Sequence, residues 1–193
     1  TNYREVQKRA KQLANGLLAR GVKLGDRVAT LAWNGYRHLE IYYAVSGIGA
    51  VLHTINPRLF PEQIEYIANH AEDQYIFVDL TFVPLLEGMQ DKLKTVKGFI
   101  VMTDEAHMPQ SKLRNVICYE AFVRAQSAEL TWPSFDENTA SSLCYTSGTT
   151  GNPKGVLYTH RSTVPHSFAA CMGDVLGINS HESILVIVPL FHA

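Results

Sequence analysis

Residues 145–156 hold the densest group of potentially reactive side chains in the chain, in the order Tyr-Thr-Ser-Gly-Thr-Thr-Gly-Asn-Pro-Lys-Gly-Val. The hydroxyls belong to Thr146, Ser147, Thr149 and Thr150, the glycines are Gly148, Gly151 and Gly155, and the cation is Lys154. Glycines let the backbone turn tightly and present its N–H groups. Hydroxyls and a lysine add further donors and a positive charge. The segment therefore predicts a polyphosphate-binding loop.

Two common phosphate-binding motifs are excluded by the spacing. A Walker A loop has glycine immediately before its lysine and Ser or Thr immediately after it, but Lys154 lies between Pro153 and Gly155. A dinucleotide fingerprint needs a G-x-G step, whereas Gly148 and Gly151 are three positions apart. A polar turn between two strands is the alternative without function. The length of the run, with its proline and lysine, argues against that alternative.

The elements that must position this loop alternate between helix and strand. A first helix is predicted from apolar residues at three- and four-residue steps between Val6 and Leu18, ending at Gly21. Strands are predicted at 27–32, 51–55, 75–78, 99–102 and 184–188. Further helices are predicted at 37–49, from Pro61, at 82–94 and at 119–127. Loops are predicted at 103–116 and 128–138. Such alternation predicts an α/β fold with a largely parallel sheet covered by helices.

Residues outside the loop receive less specific predictions. His160 should shape the turn into a following helix, with Ser162 as its cap and His166 as a structural residue on it. Three histidines are predicted at the surface: His70, His107 and His181. Three tyrosines are predicted as packing residues: Tyr42, Tyr43 and Tyr66. The cysteines are predicted as small buried thiols: Cys118, Cys144 and Cys171.

Composition limits the classes of function. The chain has 193 residues, a formal net charge of −1 and 46% apolar residues, which disfavours nucleic-acid binding. No apolar run reaches the ~18 residues of a membrane span, and no signal peptide is visible, so a cytoplasmic protein is expected. The chain begins at Thr1 and stops shortly after a predicted buried strand. We therefore expect a piece of a longer protein.

Residues 145–156 resemble the signature loop of the adenylate-forming superfamily, which includes acyl-CoA synthetases, nonribosomal adenylation domains and beetle luciferases. Residues 21–28, 49–59 and 188–193 are similar to further landmarks of that family and occur in its order. The amino-acid sequences of 53–59 and 64–73 most resemble those of medium- and long-chain fatty-acid–CoA ligases. The resemblance implies that 1–193 is a partial amino-terminal domain and that the carboxy-terminal domain is absent.

The resemblance also implies a reaction and a set of site residues. A fatty acid would attack ATP to give acyl-AMP, and coenzyme A would then displace AMP. The residues implied around the phosphates are Thr146, Ser147, Gly148, Thr149, Thr150 and Gly151, with Lys154 nearby. Thr146 would also reach Mg²⁺, and His192 would be the catalytic residue beside the acyl and phosphate groups. Because other site residues of the family would follow position 193, the chain alone is predicted to be inactive.

Two other functions remain open at this stage. One is a non-catalytic nucleotide- or phosphate-binding module, complete at this length. The other is an adenylating enzyme that acts on an aryl or amino acid, because the loop handles ATP in the same way in all of these enzymes. The expected partners are the small molecules fatty acid, ATP and coenzyme A. Many acyl-CoA ligases form homodimers, but no self-complementary patch in this sequence predicts one.

Overall fold

The computed structural model describes residues 1–146 and 152–192, and seven strands within them form one sheet. The strands are β1 Arg27–Leu31, β2 Val51–Thr54, β3 Tyr75–Val78, β4 Gly98–Val101, β5 Val116–Cys118, β6 Ala140–Thr146 and β7 Lys154–Thr159. They lie in the order β5-β4-β3-β1-β2-β6-β7. All neighbours are parallel except β7, which runs antiparallel to β6. The predicted α/β class is confirmed.

Six α-helices connect and cover these strands in the described ranges: α1 Tyr3–Ala19, α2 Tyr36–Gly47, α3 Pro61–His70, α4 Val83–Met89, α5 Tyr119–Arg124 and α6 His160–Cys171. Short 3-10 turns at Leu80–Phe82 and Gln90–Lys92 flank α4, and a third spans Glu105–His107. The predicted helix at 82–94 is therefore shorter than expected. Pro84 lies in the first turn of α4, and without an N–H it cannot continue a hydrogen-bond ladder from the preceding turn.

The helices form two layers, one on each face of the sheet. Val28 and Thr30 of β1 face one side, and Ala29 and Leu31 face the other, as the two-residue period of a strand requires. The first face packs against α1, α2 and α5, and the second against α3 and α4. The central strands are buried on both faces, which explains why strands such as β3 are unbroken apolar runs rather than alternating ones.

A cluster of charged side chains joins α1, α2 and α5. Arg9 bonds Glu40 at 2.7 Å and Glu120 at 2.8 Å, while Arg37 bonds Glu120 at 2.7 Å. The Tyr119 hydroxyl donates to Glu40, whose side chain is completely buried, at 2.7 Å. Burial favours protonation of Glu120, but its hydrogen bonds to the two arginines outweigh burial and lower its pKa. Removing one partner would leave a buried charge without compensation, so the cluster fixes the relative positions of the three helices.

Two further predictions about elements are corrected by the structure. Residues 184–188 are not a buried strand, because their side chains are exposed and they belong to no sheet in the described chain. An apolar run is buried only where another element covers it, and here the backbone carbonyls of Val186 and Val188 are bonded by the Asn34 side chain. Residues 103–116 were predicted as a loop, but Val116 is the first residue of β5, a strand of only three residues.

Corrections to single residues concern two cysteines and Leu18. Cys171 is exposed at the end of α6 and Cys118 is half-buried, so only Cys144 fits the predicted buried thiol. Leu18 is 42% exposed, unlike the other apolar residues of the predicted α1 face. None of the helices in the described ranges combines the length and apolar character that crossing a bilayer would require.

Candidate active site

The β6–β7 hairpin holds the two ends of the predicted phosphate loop together. Thr146 is the last residue of β6 and Lys154 the first of β7, and the two are register partners. Both are exposed, and the Thr146 hydroxyl lies 3.4 Å from the Lys154 carbonyl oxygen. Ser147, Gly148, Thr149, Thr150 and Gly151 lie outside the described residues, so their phosphate contacts stay predictions. The loop segment is therefore bounded by two paired antiparallel strands.

The hairpin places Thr146 at the edge of the sheet where ligands bind in this class of fold. β6 lies beside β2 and parallel to it, and β2 lies beside β1 and parallel to it. The carboxyl ends of these three strands therefore meet at one edge. Open α/β sheets bind ligands in the crevice outside the carboxyl ends of their strands, so the position agrees with the chemistry predicted from the loop.

Tyr145, one residue before Thr146, anchors the end of β6. Its hydroxyl lies 2.6 Å from Nδ1 of His70, and its ring centroid lies 5.1 Å from that of His53. Gly155, its partner on β7, makes room for the ring, because a Cβ there would lie 3.3 Å from Tyr145 Cζ. Burial raises the pKa of Tyr145 to about 12, and the nearby Asp73 carboxylate acts in the same direction. The phenol therefore stays protonated at neutral pH and holds the strand in place.

A buried histidine–aspartate pair lies next to Tyr145, because the His53 ring contacts the Tyr145 ring. His53 Nδ1 lies 2.8 Å from one carboxylate oxygen of Asp73 and 3.0 Å from the other, and both side chains are fully buried. Burial raises the pKa of Asp73, and the contact with His53 opposes that change. In the described part of the chain, His53 Nε2 has no hydrogen-bond partner. Neither this pair nor the anchoring role of Tyr145 was predicted from sequence; the available signal was His53, a polar residue within an apolar strand.

His192, the predicted catalytic residue, is exposed and follows the buried Phe191. Its backbone N–H donates to the Pro189 carbonyl at 3.0 Å, so the segment turns just before it. The Phe191 ring lies 6.3 Å from that of Trp33, which follows β1. Tyr42 was predicted only as a packing residue, but its hydroxyl donates to the Leu190 carbonyl. His192 therefore follows a segment that is fixed to the body of the sheet.

The remaining sequence predictions have mixed outcomes. His70, His107 and His181 are exposed as predicted, although His70 also contacts Tyr145. Cys144 is buried as predicted, with Sγ 3.3 Å from the Thr54 hydroxyl.

The predicted cap of α6 is wrong. Thr159 is the cap and its hydroxyl accepts from the Ser162 N–H at 3.0 Å, while Ser162 is its partner in a capping box. His160 begins the helix, as its predicted place in the turn requires, and His166 is exposed on it. Tyr43 is 56% exposed, which leaves little of its predicted packing role, whereas Tyr66 is half-buried.

Thr146 is the residue predicted to reach a metal carried by a nucleotide, and its hydroxyl is exposed at the end of β6. Within residues 1–146 and 152–192, no three His, Cys, Asp or Glu side chains converge as ligands would. Mg²⁺ often keeps several waters and binds mainly through substrate phosphates, with one or two protein oxygens. The exposed Thr146 hydroxyl makes only a long contact at 3.4 Å, so it fits that mode of binding.

Comparisons with known proteins agree with this arrangement. The chain is 52% identical over 192 residues to a 3-methylmercaptopropionyl-CoA ligase from Ruegeria pomeroyi, covering 100% of this chain and 36% of the relative. It is 50% identical over 190 residues to a medium-chain-fatty-acid–CoA ligase from Ectopseudomonas oleovorans, covering 98% of this chain and 35% of the relative. The chain thus spans about a third of the length of these relatives.

A solved structure and a family model extend the comparison. The inhibitor-bound N-terminal domain of FACL13 from Mycobacterium tuberculosis superposes with a TM-score of 0.81 at 26% identity, over 100% of this chain and 45% of that one. The model of the family described as AMP-binding enzyme matches residues 1–193. With the sheet, the hairpin and the loop sequence in agreement, the chain belongs to the AMP-binding enzyme family.

Proposed function

We propose that the full-length protein containing this chain is an ATP-dependent, AMP-forming acyl-CoA ligase. The observation that supports this most strongly is the β6–β7 hairpin, which presents Thr146 and Lys154 at the carboxyl edge of the sheet. The hairpin carries the family's signature sequence between these two residues, and both named relatives are CoA ligases. In the proposed reaction a carboxylate attacks the α-phosphate of ATP and releases pyrophosphate. The thiol of coenzyme A then displaces AMP.

The chain's own residues would act mainly by positioning and charge neutralisation. Two anions must be held together for the first step, so fixed donors and cations at the right place lower the barrier. Lys154 would supply a positive charge beside the phosphates, and residues 146–151 would supply hydroxyl and backbone donors. Mg²⁺ would neutralise phosphate charge when bound, with Thr146 as the protein hydroxyl that reaches it. His192 would lie beside the acyl and phosphate groups.

The proposed substrate is an aliphatic carboxylic acid, with medium- or long-chain fatty acids as the first choice. One relative is named for the 3-methylmercaptopropionyl group and the other for medium-chain fatty acids. The segment at 53–59 supports the fatty-acid branch by sequence similarity. We also propose that residues 1–193 form part of a larger amino-terminal domain. The isolated chain should then yield no acyl-CoA, because it lacks residues that complete the site.

The test uses the full-length protein with ATP, Mg²⁺, coenzyme A and a panel of acids from acetate to long-chain fatty acids, with benzoate and several amino acids. AMP and pyrophosphate release that peaks on aliphatic chains and needs coenzyme A for turnover would support the proposal. Release on aryl or amino acids would keep the adenylation chemistry but replace the substrate class. No AMP with any acid would refute the enzyme and favour a nucleotide-binding module.

A further inference from the structure

The amide of Asn34 binds the backbone of a segment more than 150 residues away along the chain. Its Nδ2 donates to the carbonyl oxygens of Val186 at 3.1 Å and Val188 at 2.9 Å. Its Oδ1 accepts from the N–H of Leu190 at 2.7 Å. Both donor hydrogens and the acceptor oxygen of the amide are thus engaged. Three alternate residues of one segment are held by one side chain.

The base of this contact is fixed to two central strands. Asn34 comes three residues after the end of β1, at the carboxyl edge of the sheet. The preceding residue, Trp33, donates its backbone N–H to the Asp79 carboxylate at 2.6 Å, directly after β3. The Trp33 ring also lies 5.1 Å from the ring of Phe82. Asn34 therefore projects from a stretch of chain that is itself held on both sides.

Tyr42 fixes the far end of the same segment. Its hydroxyl donates to the Leu190 carbonyl, while the Leu190 N–H is held by Asn34. Burial raises the pKa of Tyr42 to about 12, and the Cys144 thiol and the Thr54 hydroxyl are among the groups near it. Cys144 lies on β6 two residues before Thr146. The Leu190 backbone is thus fixed through both its N–H and its carbonyl, and Tyr42 connects it to β6, the strand that ends at Thr146.

We propose that Asn34 is a positioning residue, which clamps residues 186–190 so that His192 is held at the carboxyl edge of the sheet, near the end of β6. This inference rests on the proposed function, since it assigns the role of His192 within that reaction. A catalytic side chain must be held to within a fraction of an ångström, and a displacement of ~1 Å can cost ~100-fold in rate. His192 is exposed, so its position depends on the backbone that precedes it.

The test substitutes Asn34→Asp in the full-length protein, which removes both donors and keeps the acceptor. Asn15→Asp is the matched control. Asn15 lies on α1, and its Nδ2 likewise donates to two backbone carbonyls, those of Ser127 at 2.8 Å and Glu129 at 3.0 Å. We expect N34D to lower kcat for pyrophosphate release about tenfold. N15D should change it less than about twofold. Thermal midpoints of both variants report whether either has merely lost stability.

A double-mutant cycle with His192→Ala separates positioning from a structural effect. If Asn34 acts through His192, N34D/H192A should be no slower than H192A alone, within about twofold. The inference would be overturned if the rate losses of N34D and H192A multiply in the double variant. It would also be overturned if either single variant is as fast as wild type. A wild-type protein that releases no AMP with any acid would instead refute the proposed function.

Amide hydrogen exchange tests the clamp without any turnover. In the full-length protein, Asn34→Ala removes the acceptor of the Leu190 N–H and both donors to the segment. Exchange in the peptide spanning 186–192 should become about tenfold faster, while the peptide of β3 should be unchanged. Unaltered exchange at 186–192 would overturn the clamp, whatever the enzymatic result.

Discussion

His38 shows how a single buried side chain can set the pH range of stability. It lies in α2 and is completely buried, with Nε2 3.0 Å from the Thr30 hydroxyl and Nδ1 3.1 Å from the Trp33 carbonyl oxygen. Burial lowers its pKa from 6.5 to about 4, although the bond to the Trp33 carbonyl favours the charged form. The folded protein therefore keeps this imidazole neutral well below the pH at which an unfolded chain would protonate it.

We predict that acidification destabilises the protein through His38. The folded-state pKa is lowered, so the unfolded chain binds the extra proton first and stability falls as the pH drops from about 6.5 to about 4. The full effect is about 3 kcal/mol. Urea unfolding between pH 7 and pH 4.5 should show a smaller loss in His38→Gln than in wild type.

His181→Gln, which replaces an exposed histidine, is the control and should keep the wild-type slope. An H38Q variant with the wild-type slope would contradict the prediction. NMR titration of the His38 ring in wild type measures the same quantity directly. It therefore decides the matter if the variant fails to fold.

The residues of the site differ in how far sequence could predict them. Thr146 and Lys154 could be proposed from sequence because the pattern that contains them spans only a dozen neighbouring residues, and their roles stay predictions. The contact of Tyr145 with His70 and the contact of Asn34 with 186–190 join distant parts of the chain. Such contacts depend on strand order and helix placement, which local pattern does not encode.

Among the elements, α1 and α5 pack unusually closely. A Cβ added at Gly16 in α1 would lie 2.7 Å from Cζ of Phe122 in α5. Phe122 is buried in the core, so a Cβ at Gly16 forces its ring, or the helix that carries it, to shift. A one-carbon side chain is therefore enough to push the two helices apart.

We predict that Gly16→Ala lowers the free energy of unfolding by about 1–3 kcal/mol through overpacking. Gly88→Ala is the matched control, because Gly88 lies in α4 and an added Cβ there would have no neighbour within 4 Å. In an open helical position alanine should be neutral or stabilising by up to about 1 kcal/mol. Chemical denaturation of both variants checks the pair; equal effects would mean that packing against Phe122 is not responsible.

The strands could be predicted where burial on both faces makes the sequence mostly apolar. The predicted segments at 27–32, 51–55, 75–78 and 99–102 agree with β1 to β4 to within one residue at either end. The segment at 184–188 has the same composition but lies exposed, and β5 is short and preceded by Asn115 at a φ of +50°. Composition reports the tendency to be buried, and topology decides whether a partner is present.

At the scale of the whole molecule, the chain carries a large exposed apolar surface on and after α6. Phe168, Leu185 and Ile187 are 73%, 82% and 78% exposed. Exposed apolar side chains in such number promote association. Since the chain spans about a third of its relatives, we infer that further parts of the full-length protein cover it.

We predict that the isolated 193-residue chain self-associates and binds a hydrophobic dye such as ANS, and that the full-length protein does so much less. Light scattering after size-exclusion chromatography measures the first property and fluorescence the second. Leu185→Ser with Ile187→Ser should reduce both in the isolated chain, because two of the most exposed apolar side chains are removed. A monomeric isolated chain without dye binding would show that this surface is not adhesive.

The β6–β7 hairpin also has a consequence for the order of folding. It joins consecutive strands through only seven intervening residues, whereas each parallel pair in the sheet needs a long crossover. Hairpins close in about 1–10 μs, and non-local parallel pairs form much more slowly because loop closure costs more entropy. Thr146 and Lys154, which bound the predicted phosphate loop, should therefore meet early, before β6 docks beside β2. Substitutions within the loop should then alter ligand affinity while leaving the slow assembly of the parallel sheet at its original rate.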